Sequence, residues 1–440
     1  MASKKVIAVI VVAAIVAASA AVAIIALNEE SVDSRIPTGR LQIYGNAFND
    51  DVIDNYDVEI LEKIISDGNW DEVKETYPYA DANRDGSITQ EDVDIVEKII
   101  NREECKIFYV DGNDDVKSVN FPVDHFLIAG SMVHPVIGAL DVANNAVGRA
   151  GKSSSLDDKL CAPTIGLTQI GSRPWNIDMS LVSTLETQPT AVITLYSSSY
   201  DAVVTAVDGA LDCIRVNTEA GDKTLNAYLL LGVLLGAQER ANEIVEFYDK
   251  YSNDIKGKLK TISDEKRITT ISLYSYSMCG TEYYLTKNTE AAGGVNLSDF
   301  SDSNTKTCKD AEWHLNNKYQ AEYLFEYTSW GFTALSTKNE LAEAYDYYGQ
   351  WFTKMDGYKN GKYVCINKDL PDIIRITYVA SILYPELFGT DYGDKANQEF
   401  IDKFFGYLNE NAPDKKYDVT SDGTWVITYK MAHGTDKPPV

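Results

Sequence analysis

The chain has 440 residues, enough for two or three domains with a substantial core. Its formal net charge is −26, from 66 acidic and 40 basic residues. Such an acidic surface repels phosphate backbones, so the composition excludes nucleic acid as a partner.

Residues 1–28 are predicted to be a membrane anchor or a signal segment. Lys4 and Lys5 precede an uncharged run from Val6 to Leu27, which is long enough to span a bilayer as a helix. The same run has the positive start and small-residue end of an export signal. Either way the rest of the chain is expected outside the cytoplasm, on the cell surface or secreted, and an uncleaved anchor is favoured.

Residues 81–92 form an oxygen-rich loop that is followed by an amphipathic stretch. A calcium loop needs oxygen ligands at fixed positions, about 2.3–2.6 Å from the ion, and a Gly at its sharp turn. Gly86 stands at the turn, and Ile88 is expected to pair with Ile53 of a preceding loop. The residues at the ligand positions are Asp81, Asn83, Asp85, Ser87 and Asp92. The loop is therefore predicted to bind a structural Ca2+.

Residues 46–57 form a similar loop that departs from the pattern at two positions. Phe48 replaces an oxygen ligand and Asp51 replaces the Gly, so this site is predicted to be weaker. Its remaining oxygen ligands are Asn46, Asp50, Asp54 and Asp57. Both loops run into a helix that carries the string Glu-Lys-Ile-Ile.

This duplicated loop and helix, within residues 40–104, resembles a dockerin domain. The resemblance implies a small all-α, EF-hand-like domain whose partner is a cohesin-like surface protein. Residue 12 of each loop is Asp rather than the usual Glu of EF-hands. The alternative is a calcium-stiffened spacer that lifts the main domain off the membrane.

The six cysteines are scattered and never closely paired, so zinc and iron–sulfur spacings are absent. Export permits disulfides, and buried free thiols are the alternative.

From residue 106 short apolar runs alternate with helical patterns, which predicts α/β lobes at 106–223 and 263–410. Ligands of such sheets bind beyond the carboxyl ends of the strands. In the tail, residues 411–440, one strand is predicted at 424–429, and no function is predicted. The predicted strands of the two lobes are 125–129, 164–167, 191–196, 213–216, 267–274, 322–327 and 362–366.

Between the lobes, residues 224–262 are predicted to form one unbroken helix, roughly 57 Å long at 1.5 Å per residue. Apolar residues recur at helical spacing along it, with Gly232 as an internal Gly and no Pro. Two lobes joined by a stiff rod are typical of proteins that capture a ligand in the cleft between the lobes.

Several segments resemble the substrate-binding proteins of ABC importers for ferric siderophores, haem and cobalamin. They are residues 130–134, Pro163-Thr-Ile-Gly166, Trp175-Asn-Ile-Asp178, Gly293-Gly-Val-Asn296 and Tyr384-Pro-Glu-Leu-Phe388. The resemblance implies two Rossmann-like lobes that move little, an ABC permease as partner, and an iron or cobalt complex as cargo. It also implies a carboxylate on each lobe that docks onto the transporter, here Asp178 and Glu312.

The loops after the predicted strands are rich in aromatic residues, which suit a large amphipathic ligand. An Arg pair would suit the carboxylates of haem or an anionic siderophore. His134 precedes Pro135 at a helix start, where local hydrogen bonding is the alternative to metal ligation. The predicted ligand-binding residues are Ser131, Met132, His134, Arg173, Trp175, Tyr196, Tyr274, Tyr276, Tyr283, Trp330 and Arg375.

An enzyme is not predicted. Glycoside hydrolysis needs two carboxylates across a cleft, and Glu282 is the lone acid among the cleft loops. The sequence contains neither a Gly-x-Ser-x-Gly nor a His-Glu-x-x-His motif. The predicted function is the extracytoplasmic substrate-binding component of an ABC importer. The alternative is a surface scaffold or adhesion protein that docks through the calcium module and transports no ligand.

Overall fold

A computed structural model describes residues 35–219, 221–301, 305–309, 312–409 and 416–439. The predicted anchor or signal segment, 1–28, lies outside these ranges. Among the described helices, none is both long and apolar enough to cross a membrane.

Two capped helices form the amino-terminal module. They are α1 (Asn55–Asp67) and α3 (Gln90–Asn101), with the short α2 (Trp70–Val73) between them. Each long helix starts with a capping box, Asp54 with Asp57 and Thr89 with Asp92, which satisfies backbone donors of the first turn. Their buried faces pack together, as the amphipathic pattern predicts.

The module is fused to the main body. The hairpin of β1 (Cys105–Val110) and β2 (Val116–Phe121) binds residues 42–44 through two backbone hydrogen bonds. Arg40 pairs with Asp249 at 2.8 Å, and the Ile53 N–H donates to Gln238 Oε1 at 3.1 Å. The Ile53 backbone N–H is thus bound by the main body, and no Ile53–Ile88 bridge is found in the described residues. The module therefore packs directly on the main body; whether it lifts that body off a membrane stays a prediction.

Lobe one contains a parallel five-stranded sheet in the order β5-β4-β3-β6-β7. Its predicted strand at 164–167 is wrong: the segment is helical, because Pro163 fits the first turn of a helix. The elements are β3 (Phe126–Ala129), α4 (Val133–Ala139), β4 (Ala146–Ala150), α5 (Ala162–Ile165), β5 (Gln169–Gly171), α6 (Met179–Val182), β6 (Ala191–Leu195), α7 (Asp201–Val207) and β7 (Asp212–Val216).

The predicted single rod is two helices, α8 (Gly221–Leu235) and α9 (Gln238–Leu259). Gly236, with φ +76°, ends α8 in a left-handed conformation that favours Gly. The two helices then cross so closely that a Cβ on Gly232 would lie 2.6 Å from Ala241 Cβ. The apolar periodicity continues across the break, and this continuity made the segment look like one helix.

Lobe two contains a mixed sheet in the order β11-β9-β8-β12-β13-β14, with β10 beside β8. The described part of the tail completes this sheet, because β14 pairs antiparallel with β13. The elements are β8 (Thr269–Tyr274), β9 (Ser277–Cys279), α10 (Tyr284–Ala291), β10 (Val295–Asn296), β11 (Thr305–Thr307), β12 (Tyr323–Thr328), α11 (Lys338–Gly349), α12 (Asp356–Lys359), β13 (Tyr363–Asn367), α13 (Asp372–Leu383), α14 (Pro385–Phe388), α15 (Tyr392–Phe404), β14 (Val426–Thr428) and α16 (Tyr429–His433). Short 3-10 helices lie at Ala143–Asn145, Ser153–Ser155, Ser198–Tyr200, Asp264–Lys266, Trp313–Leu315, Asn317–Tyr319 and Gly406–Asn409.

One continuous apolar core joins the module, lobe one, α8, α9, α13 and α15. Buried members of this core include Ile60 of the module, Ile193 of lobe one, Phe247 of α9 and Phe400 of α15. Because α13 and α15, which lie between β13 and β14 of lobe two, share this core with lobe one, apolar packing connects the two lobes. The cysteines are six unpaired thiols, four of them buried.

Candidate ligand-binding cleft

The carboxyl ends of strands from both lobes meet at a common cleft. Loops after β3, β6 and β7 form the lobe-one wall, and loops after β8 and β13 together with the start of α10 form the lobe-two wall. The walls are close: Arg375 Nη2, near the start of α13, donates to the Glu219 carbonyl, which follows β7, at 3.4 Å. This is the place where ligands bind in open α/β sheets.

The lobe-one wall has a hydrogen-bonded tyrosine and acid at its centre. Tyr196 Oη donates to Glu219 Oε2 at 2.8 Å. Burial raises the pKa of Tyr196, and the nearby Glu219 carboxylate raises it further. Ser131 and Met132 are half-buried on the same wall, and Ser131 interacts with Tyr200. At neutral pH the phenol is therefore a neutral hydrogen-bonding group.

The lobe-two wall is a stack of tyrosines. The rings of Tyr274 and Tyr283 are 6.4 Å apart at 28°, and those of Tyr283 and Tyr284 are 5.0 Å apart at 25°. Tyr276 contacts Tyr348, with ring centroids 5.4 Å apart. Stacked, half-buried rings present an apolar face with hydroxyl edges, which suits a large amphipathic ligand.

A strained turn positions this wall. Ser275 and Tyr276 have φ of 50° and 57°, a left-handed conformation that is costly for residues other than Gly. Glu326, fully buried on β12, accepts the Ser275 N–H through Oε1 at 2.9 Å. Its Oε2 has no hydrogen-bond partner, and burial raises the pKa of the carboxyl well above its usual value. A buried carboxyl group therefore holds the turn that carries Tyr274 and Tyr276.

Two charged residues of the cleft were missed by the sequence analysis. Glu219 follows β7, and its charge acts on Tyr196, Tyr200, Tyr274, Tyr283, Tyr284 and Lys368. Lys368 follows β13 directly, and its ammonium lies 5.5 Å from the Tyr274 ring centroid. Both stand beyond strands that were predicted, so the strand-end rule could have found them.

His134 and Arg375 lie near the cleft but do not fit the predicted ligand contact. His134 is fully enclosed, and its Nδ1 is 2.7 Å from Thr164 Oγ1. Burial lowers the pKa of this imidazole to about 3, with the Arg149 charge adding to the effect. The Arg375 guanidinium donates to Asn288 and to the carbonyls of Lys368, Leu370 and Glu219. Both side chains therefore bond to other parts of the protein. For His134, such local hydrogen bonding was the predicted alternative to metal ligation.

The other predicted contacts are separate from the tyrosine stack. Arg173 and Trp175 are exposed in the loop after β5, with the guanidinium 5.7 Å from the indole. Trp330 is half-buried, and its Nε1 donates to the Thr424 carbonyl at 2.5 Å. Ligand binding by Arg173, Trp175 and Trp330 stays a prediction.

The predicted docking acids are both exposed. Asp178 caps α6 by accepting from the Ser180 N–H at 2.9 Å, and the hydrogen bonds from Ser180 lower its pKa. Glu312 precedes a short 3-10 helix and makes no side-chain cap. They lie on different lobes.

The acidic loop 81–92 folds around its own side chains. Asp81 accepts from the Asp85 and Gly86 N–H groups at 3.1 and 2.9 Å, and Asp92 accepts from the Asn83 N–H at 3.2 Å. In the first loop, Asp57 accepts from Phe48 in the equivalent way at 2.9 Å. Within the described ranges, however, no three His, Cys, Asp or Glu side chains are grouped as in a metal site.

A crevice of about 870 Å³ lies far from the tyrosines, between α3, the end of α4 and the α8–α9 bend. The two arginines that line it, Arg102 and Arg240, donate hydrogen bonds to neighbouring protein groups. The cleft between the lobes, with the tyrosine stack on one wall and the Tyr196–Glu219 pair on the other, is the stronger candidate site.

Comparison with known proteins gives a likeness of fold. No family model and no curated protein matches the chain. The TroA-like periplasmic binding protein FepB of Veillonella parvula matches with a TM-score of 0.54 and 15% identity, covering 73% of this chain and 99% of that one. The molybdate periplasmic binding protein MolA of Haemophilus influenzae, bound to molybdate, matches with a TM-score of 0.52 and 14% identity, covering 68% of this chain and 98% of that one. CeuE of Helicobacter pylori gives 0.50 and 14%, covering 70% and 99%. The chain therefore has the two-lobed fold of periplasmic binding proteins.

Proposed function

We propose that this protein is the extracytoplasmic substrate-binding component of an ABC importer. It captures an iron chelate, haem or a corrinoid and delivers it to the permease. The observation that carries this proposal is the tyrosine-lined cleft where the strand ends of two lobes meet. Solved structures with the same fold include periplasmic binding proteins and an ABC transporter solute-binding protein, which supports the same assignment here.

The apolar packing that connects the lobes supports capture without large closure. The core shared by lobe one and the carboxyl-terminal helices makes a hinge motion costly, because it would expose buried apolar area. A preformed cleft binds its ligand with little ordering cost. Asp178 and Glu312, exposed on separate lobes, are proposed to contact the permease.

The test is a tryptophan-fluorescence titration of the full chain, kept in mild detergent because of its apolar first segment. The ligands are ferric chelates of both catecholate and hydroxamate type, haem and cyanocobalamin. We expect saturable quenching with a Kd in the micromolar range or tighter for one of them. No binding to any of them would contradict the proposal and favour the surface-scaffold function.

We further propose that loop 81–92 binds Ca2+. Its donor set, carboxylates with one amide and one hydroxyl, matches the oxygen preference of calcium. The backbone hydrogen bonds already gather Asp81, Asp85 and Asp92 onto one turn. Bound calcium would supply the positive charge that this group of carboxylates lacks. Binding of the module to a cohesin-like protein remains a prediction.

Thermal unfolding of the full chain with Ca2+ or with a chelator tests this part. An ion that binds only the folded state stabilises it by about 2.7 kcal/mol at a concentration a hundredfold above its Kd. We expect Asp81→Asn to abolish the calcium-dependent rise in Tm, and the matched change Asp50→Asn in the weaker loop to retain most of it. A Tm that is the same with and without calcium would contradict the site.

A further inference from the structure

The charged groups of the cleft differ in whether their charge is already satisfied. Glu219 accepts a hydrogen bond from Tyr196, and Asp369 accepts from the Gly331 N–H at 2.9 Å. The Arg375 guanidinium donates hydrogen bonds to the Asn288 side-chain amide and to three backbone carbonyls. Among the described cleft residues, the Lys368 ammonium is the charge deep in the site that has neither a hydrogen bond nor an ion pair.

The backbone of Lys368 is held in place between neighbouring strand ends. Its N–H donates to the Thr328 carbonyl at 2.9 Å, and its carbonyl accepts from Arg375 Nη1 at 2.7 Å. The side chain extends towards the face of Tyr274 and is largely enclosed, so burial lowers the pKa of the ammonium. The carboxylates of Glu219 and Asp369 act on the ammonium from a distance, but neither forms an ion pair with it, and an enclosed charge without a hydrogen-bonded partner costs free energy.

Lys362, at the other end of β13, shows what such a lysine does elsewhere in this chain. Its ammonium lies 4.8 Å from the Tyr323 ring, much as Lys368 lies beside Tyr274, but it is paired with Glu322. The chain has 66 acidic residues, so carboxylates are not scarce. The absence of an ion-pair partner at Lys368 therefore marks a position where an anion from outside fits.

Two other exposed cations, one on each lobe, also lie beside aromatic rings. Arg173 stacks on Trp175, and Lys309 lies 5.1 Å from Tyr276 and 5.5 Å from Trp351. No ion pair is recorded for either side chain among the described residues. Lys309 therefore places a second cation beside a ring of the lobe-two wall, whereas Arg173 lies apart from the tyrosine stack.

We infer that Lys368 is the anion-recognising residue of the cleft, and that the ligand presents an anionic oxygen group to it beside the tyrosine stack. The inference rests on the proposed function and narrows it to anionic cargo. Catecholate or carboxylate oxygens of a ferric chelate carry this chemistry, and so does a free oxyanion such as molybdate. The aromatic area of Tyr274, Tyr283 and Tyr284 favours the chelate, because a small oxyanion has no face to stack on the rings.

The experiment compares the full chain with Lys368→Met and with the matched control Lys362→Met. Each is titrated with a trianionic ferric tris-catecholate, an uncharged ferric trihydroxamate, haem, cyanocobalamin and sodium molybdate. We expect the catecholate complex to bind best and Lys368→Met to weaken it by about tenfold to a hundredfold, the worth of one charge-assisted hydrogen bond. Lys362→Met should leave the affinity unchanged, and circular dichroism confirms that both variants are folded.

The outcomes separate the inference from the function on which it rests. Tight binding of the uncharged complex or of the corrinoid, unaffected by Lys368→Met, would support the transport function and overturn the anionic inference. Binding of molybdate alone, lost in Lys368→Met, would support the anion site and contradict a chelate as cargo. Binding of none of these ligands would overturn both.

Discussion

The two lobes use the same position in the fold, the carboxyl ends of parallel strands, in opposite ways. In lobe one, polar groups near these ends are directed at other protein groups: Arg149 donates to three oxygens of its own loops, and His134 bonds to Thr164 through Nδ1, although its buried Nε2 has no partner. In lobe two, Glu326 is only half satisfied beneath a strained turn, and Lys368 has no ion-pair partner. Lobe one therefore acts mainly as a scaffold. Lobe two supplies the charged group, Lys368, with which a ligand can form an ion pair.

The largest expected effect is at Glu326. Replacement by Ala leaves the Ser275 N–H without its acceptor and opens a cavity, so we expect a loss of roughly 3–5 kcal/mol in the free energy of unfolding. Replacement by Gln keeps the acceptor. The exposed Glu322→Gln is the control and should change little. Denaturant unfolding measures all three, and an equal loss for Gln and Ala would show that the turn does not depend on this hydrogen bond.

The pH dependence sharpens the prediction for Glu326. Its folded pKa is raised, so the native state holds a proton that the unfolded chain releases above its ordinary pKa of about 4.5. Stability is therefore expected to fall as pH rises from that value towards the folded pKa. Glu326→Gln should flatten this slope and be more stable than the wild type near neutral pH. A slope that the variant leaves unchanged would contradict the neutral form of the buried carboxyl.

The bend that joins the lobes gives the next effect. Gly232→Ala places a Cβ 2.6 Å from Ala241 Cβ, so α8 and α9 must separate. We expect a cost of about 1–3 kcal/mol, as for other overpacked interiors. Gly257→Ala on α9 meets no atom within 4 Å and should stabilise by about 0.5–1 kcal/mol. Thermal unfolding of the two variants measures how tightly α8 and α9 pack. If the two helices were loosely packed, neither Gly232→Ala nor Gly257→Ala would lower the Tm.

In lobe one, His134 predicts an acid-sensitive scaffold. Its pKa is lowered to about 3 in the folded state, so the unfolded chain binds more protons between that value and about 6.5. The neutral His134 therefore makes its full contribution to the free energy of unfolding above pH about 6.5. This contribution is lost as pH falls, by at most about 1.4 kcal/mol per pH unit. His134→Gln should reduce this slope, while the exposed His125→Gln should not. Equal slopes in both variants would contradict the buried neutral imidazole.

The smallest effect is expected from single rings of the ligand wall. Tyr283 lies in the middle of the stack, so Tyr283→Leu should weaken ligand binding by about threefold to tenfold with little change in stability. Tyr347→Leu, an exposed ring on α11, is the control. If both changes act alike on ligand affinity, the stack is not the binding surface.

Local signals allowed much of the fold to be predicted. The capped helices after each acidic loop and half of the described β-strands follow from turn chemistry and apolar runs that act over a few residues. The break at Gly236 was missed because the apolar periodicity resumes in register on the far side. The tail strand was found, but its role in closing the lobe-two sheet depends on pairing with β13, far away in sequence.

The site was harder to predict, because burial decides the role of a polar residue and the sequence does not state burial. His134 and Arg375 have suitable chemistry and position, yet tertiary contacts enclose them. Glu219 and Lys368 were passed over because isolated charges in loops usually face solvent. Only the approach of the two lobes places them beside the same tyrosines.

The most direct test of the central claim is a crystal structure of the full chain saturated with a ferric chelate, with the iron located by its anomalous scattering. The account predicts the metal complex between the lobes, against Tyr274 and Tyr283, with an anionic oxygen within hydrogen-bond distance of Lys368 Nζ. Iron located in the crevice beside Arg102 and Arg240, or on the calcium-type loops alone, would contradict it.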